Sequence, residues 1–340
     1  MDAHKIIQTI FHILGIVVIL GFLALQAASC SVLMGAMGDS SAGAPAAGAR
    51  DEALFGDEAA EAHFLQVPVY GIISSSPPDG FMGVTEMSVL ERVERLLDHA
   101  EESDKVHGVL LDIDSPGGAI DPSDIIYHRL MGFKERTGKP VVARMNGLAA
   151  SGGYYVAAAA DSIIAHPSTL TGSIGVIMQS LNYAGLFDKV GLDLVTLVSG
   201  PNKDLLNPGR PMSDEEREIL QGIIDDAYET FVNAVAEGRS MEMESVLPLA
   251  DGRIYTARQA LDGGLIDAVG YEEELLEMLR AAAGVETVDV VQHKLPSKLW
   301  DLFDLGMATA ARHFRPESKL RMFERLDREP GLYYLWEPGS

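Results

Sequence analysis

One serine in this chain stands where a nucleophile could work. The run at 139–142 (KPVV) predicts a strand before Ser151, and the alanine-rich run at 156–161 predicts a helix after it. Gly152 and Gly153 follow the serine directly, which would let a substrate backbone approach closely. The amide of Gly152 would point from a helix N-terminus towards developing negative charge. These residue types in this order suit a nucleophile, and Ser151 is the candidate.

A structural role for the same serine has to be weighed against this. A serine before two glycines can simply cap a helix, and for an isolated motif that is the commoner role. The stretch is not the G-x-S-x-G elbow of the α/β-hydrolases, because Ala149 stands at the position of the first glycine. Both interpretations of Ser151 stay open on these residues alone, so partners elsewhere in the chain must decide.

A second pair of glycines could complete an oxyanion hole. Gly117 and Gly118 follow a predicted buried strand at 109–113, as Gly152 and Gly153 follow the strand before Ser151. Backbone amides from two separate loops can hold an oxyanion without any side chain. Taken alone, such a pair is an ordinary turn. Its interest comes from the occurrence of two pairs, each at the end of a strand.

Two residues could take the proton of Ser151. His166 lies near Ser168 and Thr169, although a histidine in such a place is more often a surface residue on a turn. Lys203 is an isolated lysine among small residues, in a loop after a predicted strand. Removal from water favours the uncharged amine, which can accept a proton. Most lysines are solvated, so the residues themselves do not raise Lys203 above an ordinary loop lysine.

Composition excludes several classes of function. The chain has 340 residues, 47% of them hydrophobic, which allows one large domain or two small ones with an ample core. Its 26 Lys and Arg residues against 50 Asp and Glu residues, a net charge of −24, argue against nucleic-acid binding. Cys30 is the only cysteine, which excludes an intrachain disulfide and a CxxC zinc site.

The N-terminal region predicts a membrane anchor. Residues 6–28 contain no Asp, Glu, Lys or Arg and are long enough to cross a bilayer as a helix. The alternative is a cleaved signal peptide, although the run is longer than a usual signal core. Lys5 precedes the run and no Lys or Arg follows before Arg50, which predicts that residues 1–5 are cytoplasmic and the bulk lies outside. Lipidation of Cys30 is left open, since the residues before it match a lipoprotein box poorly.

The rest of the chain divides into three parts. Residues 29–63 are rich in Ala, Gly and acidic residues and predict a flexible tether. Residues 64–290 alternate between strand and helix patterns, which predicts an α/β domain with a mostly parallel sheet. Residues 291–340 form a C-terminal extension in which we find no chemistry. The expected strands lie at 67–73, 109–113, 141–144, 161–165 and 194–198, and the expected helices at 85–100, 123–137, 182–190 and 213–237.

Several segments together carry a family resemblance. They are DSPGG at 114–118, KPVV at 139–142, AASGGYY at 149–155, TLTGSIGV at 169–176, the stretch from Gly200 to Asp204, GRIY at 252–255 and GLID at 264–267. In this order and spacing the chain closely resembles the signal peptide peptidase A family over about residues 64 to 275. The resemblance implies a membrane-anchored Ser/Lys peptidase with the ClpP/crotonase fold of repeated β-β-α units.

The resemblance also assigns roles to individual residues. The family's nucleophile falls on Ser151 and its general base on Lys203. A serine thought to hydrogen-bond that lysine falls on Ser173. The oxyanion amides fall on Gly118 and Gly152. No metal or other cofactor is implied.

The chain departs from the family at two positions, and the resemblance also leads to an expectation about the surroundings of Lys203. The family commonly has Arg and Asn where this chain has Asp112 and Asp114, and both positions flank the oxyanion loop. Asp204, next to Lys203, is expected to turn away. The amine of Lys203 is then expected to pack in an apolar pocket beside Ser173, and activity to rise with pH through a single limb.

The resemblance implies an endopeptidase that degrades cleaved signal peptides or other membrane-associated peptides. It further implies a bacterial cytoplasmic membrane protein with one span and an extracytoplasmic peptidase domain. Short members of this family are expected to form homo-oligomeric rings, with each active site built partly at a subunit junction. Two alternatives use the same fold without a serine nucleophile: a crotonase-like acyl-CoA enzyme and a non-catalytic membrane scaffold.

Overall fold

A computed structural model describes residues 51–77 and 87–295, together with the backbone of residues 332–335. The predicted anchor at 6–28 and Cys30 lie outside the described residues. Among the helices that are described, none combines the length and the apolar character needed to span a bilayer.

Strands and helices alternate along most of the described chain. The strands are β1 (Asp51–Gly56), β2 (Ala62–Tyr70), β3 (Val106–Ser115), β4 (Gly117–Ala119), β5 (Val141–Ala150), β6 (Ser162–Ala165), β7 (Leu170–Gly172), β8 (Ile177–Met178), β9 (Ile254–Thr256), β10 (Ala268–Val269), β11 (Val288–His293) and β12 (Leu332–Leu335). The helices are α1 (Val89–Glu102), α2 (Ile120–Thr137), α3 (Gly152–Ala157), α4 (Ala184–Val190), α5 (Asp214–Gly238), α6 (Met243–Val246), α7 (Ala257–Asp262) and α8 (Glu272–Ala283), with a 3₁₀ turn at Leu247–Leu249.

The main sheet has the order β1-β11-β2-β3-β5-β6-β10. Along this order all neighbours from β11 to β10 run parallel, and the edge strand β1 is antiparallel to β11. β7 extends the sheet beside the end of β5, and β9 pairs with β7. The α/β class with a mostly parallel sheet is therefore confirmed. Because parallel strands end at the same edge, the loops after β3, β5 and β7 lie close together.

Helices cover both faces of the sheet. Along β3, Val109 and Leu111 face one cluster of buried side chains, in which α1, α2, α3 and α5 take part. Leu110 faces the opposite cluster, where it packs with Leu275 and Leu279 of α8. Alternate side chains of a strand point to opposite faces, so a continuous apolar run such as that of β3 needs cover on both sides.

The structure differs from the sequence predictions at residues 51–56 and 194–198. Residues 51–56, predicted as part of the tether, form β1, which pairs with the free edge of β11. The folded body therefore begins before Phe64, and it continues through β11 to His293. The segment at 194–198, predicted as a strand, forms none, and Val195 and Leu197 are 80% and 94% exposed.

Candidate active site

Ser151 occupies a strained turn between β5 and α3. Its φ and ψ are 53° and −119°, a conformation that a non-glycine residue rarely adopts. Its amide donates to the carbonyl of Gly172 at 2.8 Å, and its carbonyl accepts from the amide of Tyr155 at 2.8 Å. Strain of this kind concentrates at functional sites. A strained strand-to-helix turn is also how hydrolase folds expose a nucleophilic serine.

The capping role proposed as the alternative for Ser151 is not realised. Ser151 is the residue that precedes α3, yet its side chain makes no capping hydrogen bond. By contrast, Ser213 before α5 accepts from the amide of Glu216 at 3.2 Å in a complete capping box. The hydroxyl of Ser151 is thus not engaged in the structural role that the sequence left open for it.

The loop after β3 places Gly118 beside a neighbouring segment. Ile73 donates to the carbonyl of Gly117 at 2.9 Å and accepts from the amide of Ala119 at 2.9 Å. A Cβ on Gly118 would lie only 2.0 Å from the carbonyl oxygen of Ile73, so only glycine fits there. Since backbone groups alternate in direction along a strand, the N–H and C=O of Gly118 point away from Ile73.

The loop carrying Ser151 lies directly against the end of β3. A Cβ on Gly153 would lie 2.9 Å from the carbonyl oxygen of Ser115, which explains the glycine at this position. The amide of Leu148 in β5 donates to Asp114 in β3 at 3.0 Å, a second link between these segments. Gly152 is the first residue of α3, where the amide has no acceptor within the helix. The two predicted oxyanion residues, Gly118 in β4 and Gly152 at the start of α3, therefore lie on adjoining segments.

Ser173 is also brought to the nucleophile. It follows Gly172, whose carbonyl accepts the Ser151 amide, and it has a left-handed φ of 50°. Its own amide donates to the carbonyl of Arg253 at 2.8 Å, and its side chain is buried. Of the five residues that the resemblance names, four therefore share one region.

Lys203 does not join them within a single chain. Its side chain is exposed, and it makes no hydrogen bond or ion pair with any residue that the structure describes. The amine of Lys203 therefore does not lie in the apolar pocket that the sequence predicts beside Ser173. The residues at 194–198, predicted as the strand that leads to Lys203, form no strand and are exposed.

Asp204 is held by other residues, as the sequence analysis expected. Its carboxylate accepts from Arg210 at 2.9 Å and from Asn207 at 3.0 Å, and no ion pair joins it to Lys203 among the described residues. The hydrogen bonds from Arg210 and Asn207 lower the pKa of Asp204 to about 2. Arg210 also donates to Glu216 at 2.5 Å, which ties this loop to α5.

Asp112 is the centre of a buried polar network. Its carboxylate accepts from Arg144 at 2.7 Å, from Asn146 at 2.8 Å, from Gln66 at 2.6 Å and from the hydroxyl of Tyr70. Burial alone would raise the pKa of Asp112, but the hydrogen bond and charge of Arg144, with the hydroxyl of Tyr70 and the amide of Asn146, outweigh it. The pKa of Asp112 therefore lies below its ordinary value. In the sequence Asp112 is notable only as a departure from the family. In the structure it is a buried, ionised carboxylate that the surrounding hydrogen bonds stabilise.

The alternative base, His166, has partners of its own. Its Nδ1 lies 2.7 Å from the hydroxyl of Ser168, and its ring packs edge-on against Tyr271. No hydrogen bond joins His166 to Ser151 in the described part of the chain. The geometry therefore gives no support to His166 as the base.

One cluster among the described residues could hold a metal ion. Oδ1 of Asp51 lies 3.0 Å from Nε2 of His99 and 2.8 Å from Nδ1 of His293, and the two rings stack at 3.6 Å. These hydrogen bonds account for the arrangement without an ion. The cluster joins β1, α1 and β11 rather than the loops that carry Ser151.

The sequence analysis missed a strand that lies on the oxyanion loop. β12 pairs antiparallel with β4 on one side and with β8 on the other, in a separate three-stranded sheet. Tyr334 stands opposite Gly118. The run Leu-Tyr-Tyr-Leu at 332–335 is short, apolar and aromatic, which is a strand signal. The run is short and isolated between segments without a strand or helix pattern, so the sequence alone does not predict it as a strand.

Comparison with known proteins supports the resemblance found in the sequence. The model of peptidase family S49 matches residues 134–286, a range that includes Ser151, Ser173 and Lys203. A protein named as a signal peptide peptidase SppA in Enterococcus faecium is 42% identical over 194 residues, 57% of this chain and 56% of that protein. These matches support the signal peptide peptidase A family for this chain.

The relatives extend beyond the matched region. The chloroplastic serine protease SPPA of Arabidopsis thaliana is 35% identical over 213 residues, which cover 62% of this chain and 31% of that protein. The chain thus spans less than two thirds of the length of these relatives. A mutant of a membrane-bound stomatin-specific protease, among solved structures, has 18% identity and a TM-score of 0.41, covering 65% of this chain and 85% of its own.

Proposed function

We propose that this chain is a serine endopeptidase of the signal peptide peptidase A family, built on a ClpP/crotonase-type fold. The observation that carries the proposal is Ser151 in its strained turn, with a hydroxyl free of any capping role. Two loops that supply backbone amides adjoin it. A hydroxyl group and two amides that converge at one edge of a sheet are what acyl transfer needs.

In the proposed reaction Lys203 accepts the proton of Ser151 while the Ser151 oxygen attacks the scissile carbonyl carbon. The amides of Gly118 and Gly152 hold the resulting oxyanion. The protonated amine of Lys203 then gives its proton to the leaving nitrogen, and the acyl-enzyme forms. Water attacks the acyl-enzyme with Lys203 again as base, and Ser151 recovers its proton. Ser173 would orient the amine during both steps.

We further propose where this chemistry takes place. Residues 6–28 would anchor the chain in the bacterial cytoplasmic membrane as a single span, with the peptidase domain outside. The substrates would be cleaved signal peptides or other membrane-associated peptides. An acyl-CoA enzyme or a scaffold would need neither an uncapped Ser151 nor Lys203, so these two residues favour the peptidase over both alternatives.

Active-site labelling tests the nucleophile directly. A fluorophosphonate probe should label the full chain covalently, because it traps a serine activated for acyl transfer. Ser151→Ala should abolish labelling, whereas Ser213→Ala should leave it intact, because Ser213 is engaged in capping α5. Labelling that persists in Ser151→Ala would contradict the proposal.

Association of several copies of the chain would bury Lys203, which is exposed in the single chain. The segment before Lys203 exposes many apolar side chains, and none of the residues of α4 is buried. The exposed side chains include Leu181, Tyr183, Leu186, Val190, Leu192, Leu194, Val195, Leu197 and Val198. An apolar surface of this extent marks an interaction site. We propose that a second copy of the chain covers it in a closed ring and removes water from Lys203.

Light scattering on the unit from Arg50 onwards should therefore show several subunits. Leu197→Asp should reduce the particle to smaller species and lower peptide hydrolysis in parallel, since a charge on the covered face opposes association. Leu247→Asp is a matched control, because Leu247 is 48% exposed but lies outside this segment. A fully active monomer at working concentration would refute the assembly.

A further inference from the structure

Two histidines and one aspartate from distant parts of the sequence converge at the β1 edge of the main sheet. His99 lies in the last turn of α1, His293 ends β11 and Asp51 begins β1. Their side chains are 26%, 9% and 21% exposed, so all three are mostly withdrawn from water. The loops that carry Ser151 take no part in this cluster, and the proposed reaction assigns no role to it.

The polar atoms of the cluster are spaced like ligands around one metal ion. Oδ1 of Asp51 lies 3.0 Å from Nε2 of His99 and 2.8 Å from Nδ1 of His293, and the three atoms all lie within 4.8 Å of one another. Zinc holds imidazole nitrogen and carboxylate oxygen at about 2.0–2.2 Å, which places neighbouring ligand atoms about 3 Å apart. The separations from Oδ1 of Asp51 therefore already match those of bound ligands.

The hydrogen bonds of the cluster hold both rings ready for an ion. Each ring N–H donates to Asp51, so the two nitrogens are directed at the same oxygen. An ion at that point would take the lone pair of each nitrogen, once each neutral ring has moved its proton to its other nitrogen. This change of tautomer releases no proton. The stacked rings, now 27° apart, must also tilt further from each other, which the partly exposed ring of His99 allows.

The donor types select the class of ion. Magnesium and calcium prefer sites made of oxygen ligands, whereas imidazole suits zinc and its neighbours in the first transition series. Two imidazoles and one carboxylate leave a fourth position for water, as in many zinc sites. The nearby ammonium of Lys294 lies 2.9 Å from Glu52, so its charge is already paired with a carboxylate outside the cluster.

We propose that Asp51, His99 and His293 form a binding site for a divalent ion of the zinc class, which fastens β1 to α1 and β11. None of the side chains of β1 is fully buried, so packing holds this strand less firmly than it holds the central strands. Residues 1–50 enter the domain through β1. An ion bound at Asp51 would therefore fix the point at which the preceding chain joins the fold.

Calorimetric titration of the full chain with Zn²⁺, after treatment with a chelator, tests the site. His99→Gln and His293→Asn each keep an N–H donor for Asp51, but an amide nitrogen does not bind zinc. Each should weaken the tightest site by about 100-fold or more, because even the partners of metal ligands contribute 10–100-fold. His128→Gln changes an exposed histidine of α2 and should bind like wild type.

Two results of the titration would overturn the proposal. The first is a full chain that binds no Zn²⁺. The second is equal binding by His99→Gln, His293→Asn and His128→Gln, which would mean that the ion binds adventitiously at other histidines. The two cluster variants alter different elements, α1 and β11, so a folding defect in one still leaves the other as a test.

Hydrogen exchange on the same proteins tests the fastening of β1. With free Zn²⁺ at about 100 times the dissociation constant, opening of β1 should become about 100-fold rarer if the ion binds only the closed strand. The amides at 51–56 should then exchange more slowly in wild type and in His128→Gln. At the same Zn²⁺ concentration His99→Gln should show no such slowing. Zn²⁺ that binds the wild-type chain without slowing exchange in β1 would overturn the proposed role of the ion.

Discussion

Ser151→Ala and Lys203→Ala are each expected to reduce kcat/KM for peptide hydrolysis by about 10⁴-fold or more, to a common residual rate. The two side chains act as one unit in the proposed mechanism, since neither attacks nor accepts a proton without the other. The double variant should therefore be no slower than either single variant. Steady-state kinetics on the full chain, with circular dichroism to verify folding, measures all three.

A neighbouring lysine provides the control for this experiment. Lys189 is exposed on α4 in the same segment, so Lys189→Ala removes the same charge without touching the proposed base. It should keep the wild-type rate. Substantial turnover by Lys203→Ala would exclude the Ser/Lys pair and return attention to His166.

Asp112→Ala is expected to lower the free energy of unfolding by about 3–5 kcal/mol, the usual cost of breaking a buried ion pair. The Asp112 side chain is 1% exposed, and its removal leaves Arg144 and three further donors without their shared acceptor. Urea unfolding monitored by fluorescence measures the change. Asp251→Ala breaks a surface ion pair with Arg253 and should be close to wild type. A similar decrease in the free energy of unfolding in both variants would mean that the network around Asp112 does not stabilise the fold.

The effect of Asp112 should also depend on pH. Its pKa in the folded chain lies below the ordinary value of 3.8, so the unfolded chain binds its proton first as the pH falls. The stabilisation is therefore complete above the ordinary pKa and declines as the pH drops through the folded value. The difference in stability between wild type and Asp112→Ala should be constant near neutral pH and should shrink in acid. A difference that grows in acid would contradict the lowered pKa.

Local sequence was enough to predict the α/β class and the surroundings of Ser151. The apolar run of β3 and the glycines after β3 and β5 specify strands that end in tight loops. Gly118 and Gly153 lie where a side chain would collide with Ile73 and Ser115, so their presence in the sequence records a close approach in space. Covalent neighbours and short-range steric contacts determine such features, which can therefore be predicted from the sequence.

Contacts between distant residues decided the features that the sequence analysis missed. β1 is a strand only because β11, more than 230 residues later, offers it an edge at His293 and Gln292. The apolar residues at 194–198 match a strand pattern, yet they form no strand and stay exposed. The uncapped state of Ser151 is likewise invisible in the sequence, because capping depends on backbone angles.

The position of β12 is the clearest case of what only tertiary structure decides. A run of four residues has the same strand propensity wherever it lies, so its sequence carries no information about its partner. Its place opposite Gly118 depends on two strands, β4 and β8, whose hydrogen-bonding groups face one groove. Backbone hydrogen bonds are alike for every residue, and their partners are therefore chosen by geometry rather than by side-chain identity.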